Sequence, residues 1–331
     1  MKKVIVTGGG GFIGKAIVRQ LLAQDIAVTV IGRRNYPDLP ALGAKIARGD
    51  IRDKSFLTKT FKNHDTVFHV AALAGIWGDR ESYHSINVTG TENVLAACRS
   101  NNIDRLIYTS TPSVVFNGND LCGVDETTPY AEKFLCHYAE TKIIAEKTVL
   151  KENSEELKTC AIRPHLVWGP GDTNLIPRLI IRGRRKQLRI VGQGDNMVAI
   201  SYIDNVVTAH LLAAANLEQS ASAAGKAYFI AQNEPVNLWN WINDLFTRLD
   251  IPRIEKKISF KKAWLAGAVL EKIYKCLSWE REPRMTRFLA EQLARSHWFS
   301  LEAAKKDLGY APQVSTEEGM NKVVEWILKK K

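Results

Sequence analysis

The run Thr7-Gly8-Gly9-Gly10-Gly11-Phe12-Ile13-Gly14 constrains this chain more than any other feature. It follows a β-branched stretch, Lys3–Thr7, and opens an apolar-periodic stretch at Ile13–Ala23 that reads as a helix. Gly8, Gly11 and Gly14 sit at i, i+3 and i+6. Glycines at this spacing allow a tight turn, close backbone approach to a pyrophosphate, and tight packing of helix on sheet. The helix N-terminus then directs free N–H groups and the positive end of its dipole at the phosphates. Placement between strand and helix predicts a dinucleotide site rather than a bare turn, with Phe12 and Ile13 completing the contact set.

The rest of the first half repeats that alternation. Ala27–Ile31, Thr66–Val70 and Arg105–Ser110 read as strands, with a helical stretch at Asn87–Ser100 and a later strand at Lys158–Arg163. Strands alternating with helices predict an α/β fold with a doubly wound parallel sheet of Rossmann type. Beyond Pro164 the pattern becomes irregular, then mostly helical, with Tyr202–Leu217 read as a helix returning to the sheet. The expected division is a dinucleotide-binding domain at 1–165, with 200–218 returning to it. A smaller, mostly helical substrate domain is expected at 166–199 and 219–331.

No apolar run approaches the roughly 18–20 residues of a membrane-spanning helix, and the N-terminus lacks the apolar core of a signal peptide. A cytoplasmic protein is expected. The five cysteines are scattered and form no C-x-x-C, so reduced thiols are expected, with neither a disulfide framework nor a metal site. The net charge of +11 is uneven. Residues 1–150 hold 18 basic and 15 acidic groups, and the remainder 28 and 20. The excess suits anionic substrates or an anionic surface. No zinc-finger or RNA-binding signature accompanies it, so no nucleic-acid partner is expected.

The end of the second strand bears on the choice of cofactor. An acid that holds the adenosine ribose is expected about 20 residues after the glycines. The chain there reads Val30-Ile31-Gly32-Arg33-Arg34. Arg33 and Arg34 in place of the acid favour the 2′-phosphate of NADP(H). Further on, Asp50 either accepts from the adenine amino group, with Ile51 against the ring, or caps a helix.

Tyr138 and Lys142 are four residues apart and share a helix face. An ammonium beside a phenol lowers its pKa from about 10, which makes Tyr138 a usable general acid toward a carbonyl oxygen. Thr111, 27 residues earlier at the end of a strand-like stretch, supplies a hydroxyl for the substrate oxygen.

With these pieces in place the chain resembles an extended short-chain dehydrogenase/reductase along nearly its whole length. The resemblance rests on Thr7–Gly14, Gly49-Asp50, His69-Val70-Ala71-Ala72, Asn87-Val88-Thr89-Gly90-Thr91, Tyr108–Thr111, Tyr138–Lys142, Arg163-Pro164 and Tyr202-Ile203-Asp204-Asn205. It implies Tyr138 as proton donor, Lys142 as the group that holds the nicotinamide ribose and tunes the tyrosine, and Thr111 as the hydroxyl that positions the carbonyl. Thr111 stands where serine is commoner, with Ser110 and Ser113 as alternatives. Ala71 and Ala72 would line the cofactor groove, and Pro164, His165 and Val167 would flank the nicotinamide.

The branch that it most resembles is the 3β-hydroxysteroid dehydrogenase group. Ala74-Gly75-Ile76-Trp77-Gly78, Ser110–Val114, Val167–Arg178 and Pro283–Ala290 resemble, within it, reductases of bacterial long-chain olefin biosynthesis. That implies NADPH-dependent reduction of a 2-alkyl-3-keto fatty acid, whose product would feed β-lactone formation and decarboxylation to an alkene. It also implies a lipid-like small-molecule substrate met by Trp77, a homodimer, and assembly with other enzymes of that pathway. A 3β-hydroxysteroid dehydrogenase, a nucleotide-sugar epimerase or reductase, and a non-catalytic NADP-binding regulator are the competing readings.

Other residues stay open between two roles. His137 is expected to be structural, Asp172 and Asp204 to be loop and cap residues, and His165 either touches substrate or does not. The basic run from Arg178 to Arg189 is a solvated face or contains a carboxylate partner, Arg178 first. Residues 263–279 read as an amphipathic helix with Ala266, Val269, Leu270, Ile273, Tyr274 and Leu277 on one face. It either covers the substrate pocket or, with the lysines of 261–279, makes peripheral contact with a membrane or partner.

Overall fold

Seven parallel strands form the centre of the molecule in a computed structural model that describes residues 1–329. Their spatial order is Lys226–Ile230, Lys158–Pro164, Arg105–Thr109, Thr66–His69, Lys3–Thr7, Ala27–Gly32 and Lys45–Arg48. The chain winds outward from Lys3–Thr7 through two strands, then returns to its other side at Thr66–His69. That reversal is the topological switch point, where the carboxyl ends of neighbouring strands diverge and leave a crevice.

Alternation along each strand feeds two cores. Val4, Val6, Phe68, Ile107 and Ile162 point to one face, and Ile5, Val67, Leu106, Tyr108 and Ala161 to the other. The helix Phe12–Leu22 buries Gly14, Ile17, Val18 and Leu21 on the first face, and Ile203–Glu218 packs beside it. Gly90–Ser100 and His137–Lys151 cover the second. The expected doubly wound sheet is therefore present.

The substrate side departs from the expected boundaries. Lys226–Ile230, inside the segment assigned there, is an edge strand of the large sheet, in register with Lys158–Pro164. A smaller four-stranded sheet joins Val236–Asn237, Met197–Val198, His297–Phe299 and Leu121–Val124, so it takes one strand from 1–165. Strands of two to four residues show no periodicity, and their partners lie far away in sequence. The last two positions of the 219–331 segment, Lys330 and Lys331, lie outside the described residues. Among the described residues six helices complete this side: Leu175–Arg184, Leu238–Arg248, Phe260–Cys276, Arg287–Ala294, Glu302–Leu308 and Thr316–Leu328.

Among the described residues no helix is long and apolar enough to cross a membrane. All five cysteines are free thiols, and no cluster of potential metal ligands occurs among those residues. The two sheets are joined through a stack of Phe229 on Phe299, centroids 4.3 Å apart and planes 16° from parallel. Phe229→Ala would leave a cavity at that joint and should cost about 3–5 kcal/mol in urea unfolding. A loss below about 1 kcal/mol would show that the sheets do not depend on this contact.

Candidate active site

The loop after the first strand is shaped by contacts that only glycine permits. Gly8 has φ +68°, and a Cβ there would lie 2.8 Å from the Ala71 backbone. At Gly14 a Cβ would lie 2.3 Å from the Gly8 carbonyl oxygen. The two loops at the switch point thus touch through backbone. A buried hydrogen-bond chain fixes them. Thr91 donates to the Asn87 carbonyl, so its oxygen accepts from His69 Nε2 at 2.9 Å. Nδ1 of His69 then accepts from Thr7 at 2.7 Å, and Thr7 Oγ1 accepts from the Ala71 amide at 3.2 Å. Burial, with the Lys142 charge, pushes His69 down to about 3, which keeps it neutral.

A cleft of about 500 Å³ opens there. Gly8, Gly11, Phe12, Ile13, Gly14, Arg33, Arg34, Asp50, Ile51, Ala71, Ala72 and Val167, all expected at the cofactor, line it together. Asp50 is not a helix cap, because Asp53 caps the following helix. Its carboxylate instead accepts from Arg52 at 2.7 and 3.1 Å, and that guanidinium holds it below the usual carboxylate range. The cleft also contains residues not anticipated, chiefly Tyr36 and the segment Asp172–Asn174. The Tyr36 ring lies so close to Gly10 and Gly32 that a Cβ at either would strike it. Two glycines facing one downstream tyrosine is the signal that would have found it. Asp172 accepts from the amides of Asn174, Leu175 and Ile176, the expected loop and capping role. The glycine cradle, the exposed arginines and the narrow floor at Ala71 fit a dinucleotide.

A cavity of about 880 Å³ continues from the same loop. Ala71 and Ala72 line the cleft, while Leu73, Ile76 and Trp77 line the cavity. Asn87, which sequence reasoning left without a role, fixes the handover. It accepts from the Leu73 amide at 2.7 Å and donates to the Leu73 carbonyl and to Thr141 on the next helix. Cys136, His137 and Glu140 place the start of the helix His137–Lys151 on the cavity wall.

Tyr138 lies in that first turn. Burial pushes its phenol up to about 12, and a hydrogen bond with Thr111 opposes the rise. Of the three candidate hydroxyls, Thr111 is the one that acts on the phenol. Its oxygen also accepts from the Ser113 amide and donates to the Ser113 hydroxyl, both at 3.2 Å. Ser110 Oγ is sealed from solvent without a partner among the described residues, so it is no alternative. The expected lowering of the phenol by Lys142 does not occur here. The Lys142 ammonium instead donates to the Thr109 carbonyl at 2.6 Å and lies 4.0 Å over the Tyr108 ring. Burial pushes Lys142 down to about 7, against the attraction of Glu146. Glu146 is itself committed to Arg163 at 2.5 Å and to the Tyr130 hydroxyl at 2.8 Å.

The remaining expectations divide. Trp77 lines the cavity and donates to the Trp279 carbonyl at 3.1 Å. Pro164 ends its strand and lines neither space, and neither does His165. His165 Nε2 donates to His297 Nδ1 at 2.7 Å, because His297 Nε2 already donates to the Gln292 carbonyl. Burial pushes both rings well towards the neutral form. Arg178 also lines neither space, and its guanidinium pairs with Glu282. The cations on the cavity wall are Lys275 and Arg287. Arg287 is bound to the buried Glu271 at 2.8 Å, whereas Lys275 has no ion pair among the described residues.

The model of the 3-beta hydroxysteroid dehydrogenase/isomerase family matches residues 5–262. A 2-alkyl-3-oxoalkanoate reductase of Stenotrophomonas maltophilia is 47% identical over 97% of this chain and 98% of that protein. A second, of Shewanella oneidensis, is 46% identical over 96% and 84%. The sterol-4-alpha-carboxylate 3-dehydrogenase, decarboxylating, of Mus musculus is 34% identical over 98% and 90%. The solved structure of MoeE5 in complex with UDP-glucose and NAD covers 99% of both chains with a TM-score of 0.76 at 24% identity, a likeness of fold. Matched over this much of its length, the chain belongs to the 3-beta hydroxysteroid dehydrogenase/isomerase family, within the extended short-chain dehydrogenases/reductases, and is an oxidoreductase.

Proposed function

We propose that the protein uses NADPH to reduce a 2-alkyl-3-oxoalkanoic acid to the 2-alkyl-3-hydroxyalkanoic acid, as a step towards long-chain olefins. The observation that carries this reading is an arginine-rimmed cleft and a cavity of about 880 Å³ lined by successive residues of one loop, with Tyr138 in the helix turn whose neighbours His137 and Glu140 line that cavity. Two relatives at 46–47% identity bear the name of that reductase. The sterol-4-alpha-carboxylate 3-dehydrogenase relative adds a chemical point. Both named substrates have oxygen on the carbon β to a carboxyl group. The steroid reading therefore demands the same pair of contacts, one hydroxyl pair for the oxygen and one cation for the carboxylate.

The nicotinamide supplies the hydride when bound. Tyr138 donates its phenolic proton to the C3 oxygen as that oxygen gains charge, and Thr111 turns its hydroxyl from Ser113 to donate a hydrogen bond to the same oxygen. Lys142, which the resemblance gives to the nicotinamide ribose, would hold that ribose by donating from its ammonium. Removing the phenol in Tyr138→Phe should lower turnover by roughly 10²–10⁴-fold while NADPH binding survives. Retained turnover would place the acid elsewhere.

The two pKa shifts fix a pH dependence. Tyr138, at about 12, stays protonated through the neutral range. Lys142, at about 7, loses its charge as pH rises through neutrality. Since kcat/KM reports groups of the free enzyme, kcat/KM for NADPH in reduction should fall with a single limb near pH 7. Lys142→Arg should move that limb to higher pH, because a guanidinium stays charged. A flat wild-type profile between about pH 6 and 9 would contradict this assignment.

Arg33 and Arg34 supply the preference for the 2′-phosphate. Replacing both with Ala should cost on the order of 2–4 kcal/mol of discrimination between NADPH and NADH. Equal use of the two by the unaltered enzyme would refute it.

Lys275 is the free cation on the cavity wall, so it takes the carboxylate in place of Arg178. Lys275→Met should raise KM for the acid by about tenfold, leave its methyl ester unaffected, and exceed the effect of Arg178→Met. The reverse order would return the carboxylate to Arg178.

A further inference from the structure

The helix Phe260–Cys276 lies over the cavity on a face turned from the apolar stripe of its sequence, of which only Tyr274 reaches the cavity and Leu270 is half-buried. Ala263, Gly267 and Glu271 are its buried residues. A Cβ at Gly267 would meet the backbone of Thr286 and Arg287 at 2.6–2.7 Å, so the helix is seated close on the chain beneath it. Glu271 and Tyr274 face the cavity. Val269, Ile273 and Leu277 of the apolar stripe face solvent, together with Leu265, and Trp279, which packs on Tyr274 at the cavity rim, is also exposed. These five are 43–60% exposed, and they make up five of the nine exposed large apolar side chains among the described residues.

A helix seated through small residues with an apolar outer stripe is unusual for a solvated surface. The charges beside the stripe decide what covers it. Lys261, Lys262 and Lys272 are all exposed, while Lys275, also exposed, belongs to the cavity wall. The one acid of the helix, Glu271, is buried against Arg287. The helix therefore shows solvent only apolar and cationic groups, apart from its exposed thiol Cys276. A second copy would set lysines against lysines across a two-fold axis. The stripe from Leu265 to Leu277 is about 18 Å long and one side chain wide, far short of the roughly 800 Å² per partner of a stable interface. A lipid surface needs no such area. It takes apolar side chains at the acyl boundary, long lysine stems reaching up to anionic headgroups, and a tryptophan at the interface.

We propose that the outer face of Phe260–Cys276, with Trp279, lies flat on an anionic lipid surface, and that its inner face thereby holds the cavity against that surface. The inference rests on exposure, charge and seating of the helix, and does not depend on the substrate proposed above. Cosedimentation of the full chain with vesicles tests it. Vesicles of phosphatidylcholine and phosphatidylglycerol should carry the protein down, and phosphatidylcholine alone should not. Leu265→Gln/Val269→Gln/Ile273→Gln should weaken binding by at least roughly tenfold with thermal unfolding unchanged. Lys261→Gln/Lys262→Gln/Lys272→Gln should weaken it and remove its salt dependence. Protein that stays in the supernatant with anionic vesicles would overturn the proposal. So would equal binding to both vesicles, or a solution dimer that the apolar triple variant dissolves, which would assign the stripe to a second copy of the chain.

Discussion

The contact between two loops at the switch point of the sheet governs the site. Gly8 meets the backbone of Ala71, and the Thr7–His69–Thr91 hydrogen bonds hold both strand ends at that separation. Every polar group in this buried chain has its partner, so the arrangement is rigid where an unpaired imidazole would cost stability. From that fixed point the loop runs first past the glycine cradle and then, pinned by Asn87, into the wall of the large cavity. The same Asn87 reaches Thr141 on the helix that carries Tyr138 and Lys142. The cleft, the large cavity and the helix of Tyr138 and Lys142 are thereby set relative to one another through one asparagine and one histidine.

The electrostatics of the interior follow from burial with few charges. Lys142, Glu146 and Arg163 are all almost fully enclosed. Glu146 satisfies Arg163 and Tyr130, which leaves Lys142 with a carbonyl and an aromatic face in place of a carboxylate. A lysine so placed loses its proton near neutrality, whereas one in a full ion pair would stay charged. One helix therefore carries a firmly protonated phenol at Tyr138 and a titratable ammonium at Lys142.

The cofactor cleft was largely legible in the sequence because its requirements are local. Glycine spacing, the arginines after the second strand and the helical spacing of Tyr138 and Lys142 each impose chemistry within a few residues. The substrate side was not, because its determinants are distant pairings. Lys226–Ile230 is a five-residue apolar run whose partner lies more than sixty positions away, and His165 meets His297 across an even longer gap. Arg178 looked available for a carboxylate only because Glu282 is remote in sequence. The helix at 260–276 shows a different limit. Periodicity identified its apolar stripe but left open whether the stripe meets the pocket or an outer surface, and only the small residues Ala263 and Gly267, which permit close seating, mark the inner face.

The central claim is hydride exchange between a nicotinamide and the carbon β to a carboxyl group. It is tested most directly with a 2-alkyl-3-hydroxy acid deuterated at C3, incubated with NADP⁺ and the full-length enzyme. The account predicts deuterium in the NADPH formed and a 3-oxo acid, or the ketone left by its decarboxylation, free of label at C3. Absence of label in NADPH, or turnover of a nucleotide sugar with no net change in cofactor, would contradict it.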